Sequence, residues 1–255
     1  MSLDLNNLIR DWAYDPHRVL ARWIERDSGL PALQLRMELG LFQMELSGRP
    51  DGQLVHGVPT LLQHYLTMEK ALPAGDPALH LDEKACAALQ QEAMQFYYRY
   101  IAFFALREFD GAIRDTGHNL KIIEYVLRHA PEELQRTFLP LYPYVRMMNA
   151  RARADKATAA RHFDAALDVL ESSRAEIEEF CAEHDLPAQP VAMPALATLR
   201  ELAEHIRRQR PRSPAERLRE ELDRAIAAEN YERAALLRDE LHKLNTEPAF
   251  PAGTS

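Results

Sequence analysis

Residues 213–245 read SPAERLREELDRAIAAENYERAALLRDELHKLN, and this stretch sets the reading of the whole chain. It opens on a doubled helix start. Ser213 can cap the free amides, Glu216 three residues on can reach back, and Pro214 suits a first turn that needs no donor. Leu218, Leu222, Ala225 and Ile226 then recur on one helical face. Glu229-Asn230 interrupts the pattern, and Tyr231, Ala234, Ala235, Leu237, Leu241 and Leu244 resume it. The segment is expected to be two helices folded back on each other, with small alanines beside the turn letting the backbones approach.

The core Leu222, Ala225, Ile226, Tyr231-Glu232-x-Ala234-Ala235, Arg238-Asp239 and Leu241 resembles a known family. It is the UVR motif shared by the UvrB and UvrC excision-repair proteins, found also in the stress regulator McsA and in some Clp ATPases. The resemblance covers this segment alone. It implies a helical hairpin used for protein–protein contact, which in UvrB meets its counterpart in UvrC. By the same resemblance the partner is a protein with its own UVR motif, or a second copy, in bacterial DNA repair or stress response.

Physical reasoning supports an interaction role independently. Helices of this length are marginal alone, and units below about 40 residues usually need a metal, a disulfide or a partner. No cysteine or metal-ligand set lies here, so the apolar stripe packs either on the chain's own body or on a partner, the second being preferred. Leu218, Leu222, Ile226, Tyr231, Ala234, Ala235 and Leu241 are the expected partner-binding seam, with Arg238 and Asp239 setting specificity through charge at its edge.

The chain has 255 residues, 47% apolar and 27% charged, an ordinary soluble balance with room for a sizeable core. Glycine is scarce while Ala, Leu, Arg and Glu abound, so the fold class is mainly α. No apolar run is long enough to cross a bilayer and no signal segment opens the chain, so a cytoplasmic protein without membrane partners is expected. Cys86 and Cys181 have no paired spacing and read as small buried apolar residues. The net charge of −8 argues against bulk affinity for nucleic acid.

Residues 1–80 form an N-terminal capping region. LDLNNLIRDWAY suggests a short amphipathic helix. Over residues 19–46, Leu33, Leu35, Met37, Leu39 and Leu41 alternate as in a strand, so a β-hairpin with Ala21 and Trp23 opposite is one reading. Pro31 and Gly48 suit the ends of a helix and no residue from Leu33 to Leu46 is β-branched, so helix is slightly preferred. GRPDG at 48–52 is a tight turn, and a short helix follows Thr60.

Residues 81–186 form a helical-hairpin body. Phe109-Asp110-x-Ala112-Ile113 recurs 54 residues later as Phe163-Asp164-x-Ala166-Leu167, each opening a helix with the aspartate as a cap. Both echoes resemble the turn of tetratricopeptide repeats, although the spacing exceeds the ~34 residues of that family. A Pro-bounded insert from Pro131 to Pro143 lengthens the connection, so two hairpins of that shape are expected, capped by the N-terminal region. Residues 187–212 form a Pro/Arg-rich linker with one helix, either docked on the body or a spacer. Residues 246–255 are expected to be a disordered tail.

Candidate chemistry is sparse. There is no Walker-type loop and no Gly-x-Gly, which excludes the UvrB helicase as a whole-chain identity. The paired cysteines of McsA-like zinc binding are missing. Asp115 and His118 lie one turn apart, but a di-metal helical site needs such pairs from two helices, so they read as a surface or capping pair. A non-enzymatic protein is expected, with no catalytic residues, no metal site and no cofactor. The aromatic cluster Phe96, Tyr97, Tyr98, Tyr100, Phe103 and Phe104 reads as core, with part of it exposed in a groove. Six arginines lie in the thirteen residues 207–219 beside only Glu216. The alternative function is therefore a DNA-associated repair accessory in which Arg207, Arg208, Arg210 and Arg212 contact phosphates. A solvated hinge paired with Glu220 and Glu221 is preferred.

Overall fold

The strict alternation of Leu33, Leu35 and Met37 produces a strand, not a helix. The computed structural model describes residues 5–211 and 214–246. A single helical turn, α1 (Asn6–Ile9), precedes an antiparallel meander of β1 (Ala21–Glu25), β2 (Pro31–Met37) and β3 (Gly40–Met44), with β2 central. The helical preference for residues 33–46 is thereby corrected, and a third strand joins the expected hairpin. Trp23 pairs with Leu33, and Leu35 with Phe42. The physical reason is tertiary. A strand places Leu33 and Leu35 on one face, where both are buried against Tyr100 and Phe103, whereas a helix would scatter them. On the other face Gln34 accepts from Arg22 Nε (2.9 Å) and donates to Gln43 (3.0 Å), so the buried amide is satisfied across all three strands.

Helices follow: α2 (Leu61–Ala71), α3 (Glu83–Leu106), α4 (Phe109–His129), α5 (Glu132–Gln135), α6 (Tyr142–Ala159), α7 (Phe163–Glu183), α8 (Met193–Gln209), α9 (Pro214–Ala227) and α10 (Tyr231–Thr246). Thr60 caps α2 by accepting from the Gln63 amide at 3.0 Å, and Asp82 caps α3 by accepting from Ala85 at 2.7 Å. Helices α3 and α4 pack as one antiparallel hairpin and α6 and α7 as a second, with α4 against α6.

Among the described residues, one turn in which a left-handed residue leads into an aromatic helix start is used three times. Arg107, Arg161 and Glu229 sit in the left-handed region with φ of 61°, 61° and 55°. After each, the next amide reaches back to close the preceding helix: Glu108 N to Phe103 O, His162 N to Ala157 O, and Asn230 N to Ala225 O, all at 2.8–2.9 Å. An aromatic residue then starts the new helix, and an alanine three places on is buried: Phe109 and Ala112, Phe163 and Ala166, Tyr231 and Ala234. The echo in the body and the turn of the C-terminal hairpin are thus one device. Asp110 and Asp164 are not caps. The left-handed residue ends one helix so sharply that Glu108 and His162 take the cap position, which leaves each aspartate in the first turn near the positive helix end.

A β-carbon added at Gly111 would lie 2.7–2.8 Å from the ring of Phe103, itself buried. Gly111→Ala is expected to lower stability by about 1–2 kcal/mol, overpacking outweighing the helix-propensity gain. A urea midpoint at or above that of the wild type would refute the tight fit.

The chain divides into two compact units, Met1–Arg207 and Arg208–Ser255. In the first, the sheet, the C-terminal half of α3, and α6, α7 and α8 share one core, while α2, the N-terminal half of α3 and the C-terminal half of α4 share another. The helix in the Pro/Arg-rich stretch docks on the body, because Leu199 and Ile206 of α8 are buried in the same core as Leu170 and Ile177 of α7. Cys86 and Cys181 are buried free thiols, pushed up in pKa by burial, which leaves them poor nucleophiles. Phe96, Tyr100 and Phe103 are core. Tyr98 packs edge-on against Phe42 beside an apolar groove of about 320 Å³.

Asp115 and His118 are not a surface pair. Asp115 is fully buried and bound bidentately by Arg99, at 2.6 and 2.9 Å, while Arg99 also donates to the Glu45 and Gly48 carbonyls. His118 stacks on Phe96 and bonds Glu92 at 3.0 Å. Glu92, fully buried, also accepts from the Leu61 and Leu62 amides at the start of α2, at 2.7 and 3.1 Å. Burial raises its pKa, but the bonds from His118 and the two amides outweigh it and hold the carboxyl below its ordinary 4.5. A carboxylate with a depressed folded-state value contributes stability above its unfolded value and loses it as pH falls through the folded one. Acid unfolding below about pH 4.5 should therefore be less pH-dependent in Glu92→Gln, and an unchanged acid limb would show that Glu92 contributes nothing.

Candidate partner-binding hairpin

Helices α9 and α10 pair through a small interior of their own. Ala225, Ala234 and Leu237 are buried, with Leu218 and Leu222 packed against them. The fit depends on the turn. Glu229 N donates to Ile226 O (3.0 Å), and the Asn230 side chain caps α10 by accepting from the Arg233 amide (3.1 Å). Arg233 reaches Glu221 across the two helices at 3.5 Å. Since Glu229 holds a left-handed conformation that disfavours a β-carbon, Glu229→Gly is expected to stabilise the hairpin by about 1 kcal/mol. Slower amide exchange over residues 214–246 would show it, and faster exchange would contradict it.

The expected seam residues divide into two sets. Leu218, Leu222, Ala234 and Leu241 turn inwards or are half-buried, whereas Ile226, Tyr231 and Ala235 are exposed. Ile226 in the last turn of α9 is 51% exposed, and Tyr231 in the first turn of α10 is 69% exposed. Arg238 and Asp239 are both exposed and bond each other at 3.0 Å. Two leucines outside that seam matter. Leu237, almost fully buried, is the largest of the hairpin's buried side chains among the described residues, and its three-residue spacing from Ala234 marked it in the sequence. Leu236, 60% exposed, lies off the repeating face and carried no such signal.

Of the arginine stretch, Arg207 and Arg208 are exposed, and Arg210 is half-buried and ion-paired with Glu216. Arg224 approaches Glu220 at 3.9 Å. Ser213, Arg212 and the tail from residue 247 lie outside the described residues, as does the side chain of Leu244. Among the described residues no cluster of His, Cys, Asp or Glu could hold a metal ion, and no helix is long and apolar enough to cross a membrane.

The class defined by these features is a mainly α protein with a small N-terminal sheet and a C-terminal helical hairpin. Residues 213–247 are a UVR segment, matching the UvrB/uvrC motif. No curated protein and no solved structure matches the chain.

Proposed function

We propose that this chain is a non-enzymatic adaptor whose UVR hairpin recruits a protein partner, in DNA repair or stress response. The reading is supported by the motif at residues 213–247 together with what its hairpin leaves exposed. The interior is filled by the hairpin's own residues, while Ile226 and Tyr231 remain open on either side of the turn. Exposed apolar side chains of this size beside charged neighbours are the usual raw material of an interface core and its polar rim. Arg238 and Asp239 supply the charged edge. The partner that the motif suggests is another UVR hairpin, on a different protein or on a second copy.

The test places a photo-crosslinking residue at Tyr231 in the full-length chain and identifies what is captured in a bacterial lysate. A protein carrying its own UVR segment, lost on Ile226→Asp, supports the adaptor. Crosslinked dimers with concentration-dependent mass would assign the partner as a second copy. Equal capture with and without Ile226→Asp would sink the proposal.

A further inference from the structure

A cavity of about 510 Å³ opens in the first unit between α2, α3 and α4, within the size range of small-molecule sites. Its charged wall is one face of α4. Arg114, His118 and Lys121 follow at i, i+4 and i+7 and all line the cavity. The carboxylates bonded to Arg114 and His118 do not share the opening. Asp115 lies fully buried behind Arg114, bonded to its Nε at 2.9 Å, and Glu92 lies fully buried behind His118. The opening is therefore cationic in a chain whose net charge is −8. The lining that α4 does not supply is in part apolar: Pro59 is exposed and Leu66 half-buried, while Leu62 and Phe96 are almost fully buried and Phe96 is covered by the stacked His118.

Gly117 points to the same place. It sits mid-helix between Arg114 and Lys121 on the cavity wall, and a β-carbon there would meet nothing within 4 Å. Glycine is the poorest helix former apart from proline, and packing does not require it at this position. A larger side chain would project into the cavity, so the glycine keeps the floor clear at the expense of the helix.

We propose that this cavity binds a small organic phosphate monoester, its phosphate held by Arg114 and Lys121 and its apolar or aromatic part lying on Pro59 and Leu66. A phosphate near −2 matches two cations, and the Arg114 guanidinium, anchored at Nε by Asp115, offers its remaining donors as a fork. The free phosphate ion would leave most of the volume and the apolar lining unused.

The test is calorimetric titration of the full-length protein with phenyl phosphate and, separately, inorganic phosphate. Phenyl phosphate should bind at least about tenfold more tightly, because only it uses the apolar lining. Lys121→Gln, at an exposed position, should weaken phenyl phosphate binding about tenfold by removing one charge-assisted contact. Gly117→Leu should abolish binding without lowering the melting temperature of the free protein. Three results would each overturn the proposal: no heat with phenyl phosphate up to about 10 mM, a thousandfold above a tight metabolite site; equal affinity for the two probes; or unchanged binding in both variants.

Discussion

Asp115→Ala is expected to cost the first unit about 3–5 kcal/mol, the range for removing one partner of a buried ion pair. Neither side chain of the Arg99–Asp115 pair has any solvent exposure. The carboxylate takes two bonds from Arg99 and one from Arg114, and the second terminal nitrogen of Arg99 ties α3 to the loop before α2 through Glu45 and Gly48. Truncation would leave a buried guanidinium with carbonyl partners but no counter-charge. In a unit of this size the melting temperature should fall by roughly 10 °C. Arg99→Leu alone should do less, because Arg114 still compensates Asp115. The double variant Arg99→Leu/Asp115→Leu should recover part of the loss, as apolar replacements of buried pairs generally do. A loss below about 1 kcal/mol for Asp115→Ala would mean that water reaches the pair and that its burial is not energetically real.

The second large effect belongs to the hairpin. Leu237→Ala is expected to unfold α9 and α10. Truncating a buried leucine typically costs about 2–5 kcal/mol, and a core this small rarely supplies more than about 3–5 kcal/mol in all. Leu237 is 1% exposed, and among the described residues two alanines are buried beside it. Loss of amide protection confined to residues 214–246 would mark the outcome. Tyr231→Asp, at an exposed position, should instead keep that protection and lose only the partner. Persistent protection in Leu237→Ala would require a source of stability other than this interior.

The division of the motif's apolar residues between interior and surface was only partly legible in the sequence. Helical spacing grouped Leu218, Leu222 and Ala225 correctly, but it also admitted Ile226 and Tyr231, which stand at the edges of the same stripe. In two helices of this length the interior is narrow, so a residue displaced by one position turns outwards. Asp115 and His118 show the opposite failure. Their one-turn spacing suggested a solvated pair, and their partners, Arg99 and Glu92, lie on the preceding helix, where no local pattern announces them.

The sequence by itself determined the helical class, the short helix after Thr60, the repeated helix starts at Phe109 and Phe163, and the terminal hairpin. All of these rest on local backbone preference and short-range periodicity, which a chain segment carries with it. Tertiary structure alone decided the rest. Residues 31–44 became strands because Leu33 and Leu35 had a helix to pack on. The charges of α4 lined a cavity because α2 and α3 closed over them. Long-range burial sets the energy of such choices, and it depends on which surfaces meet.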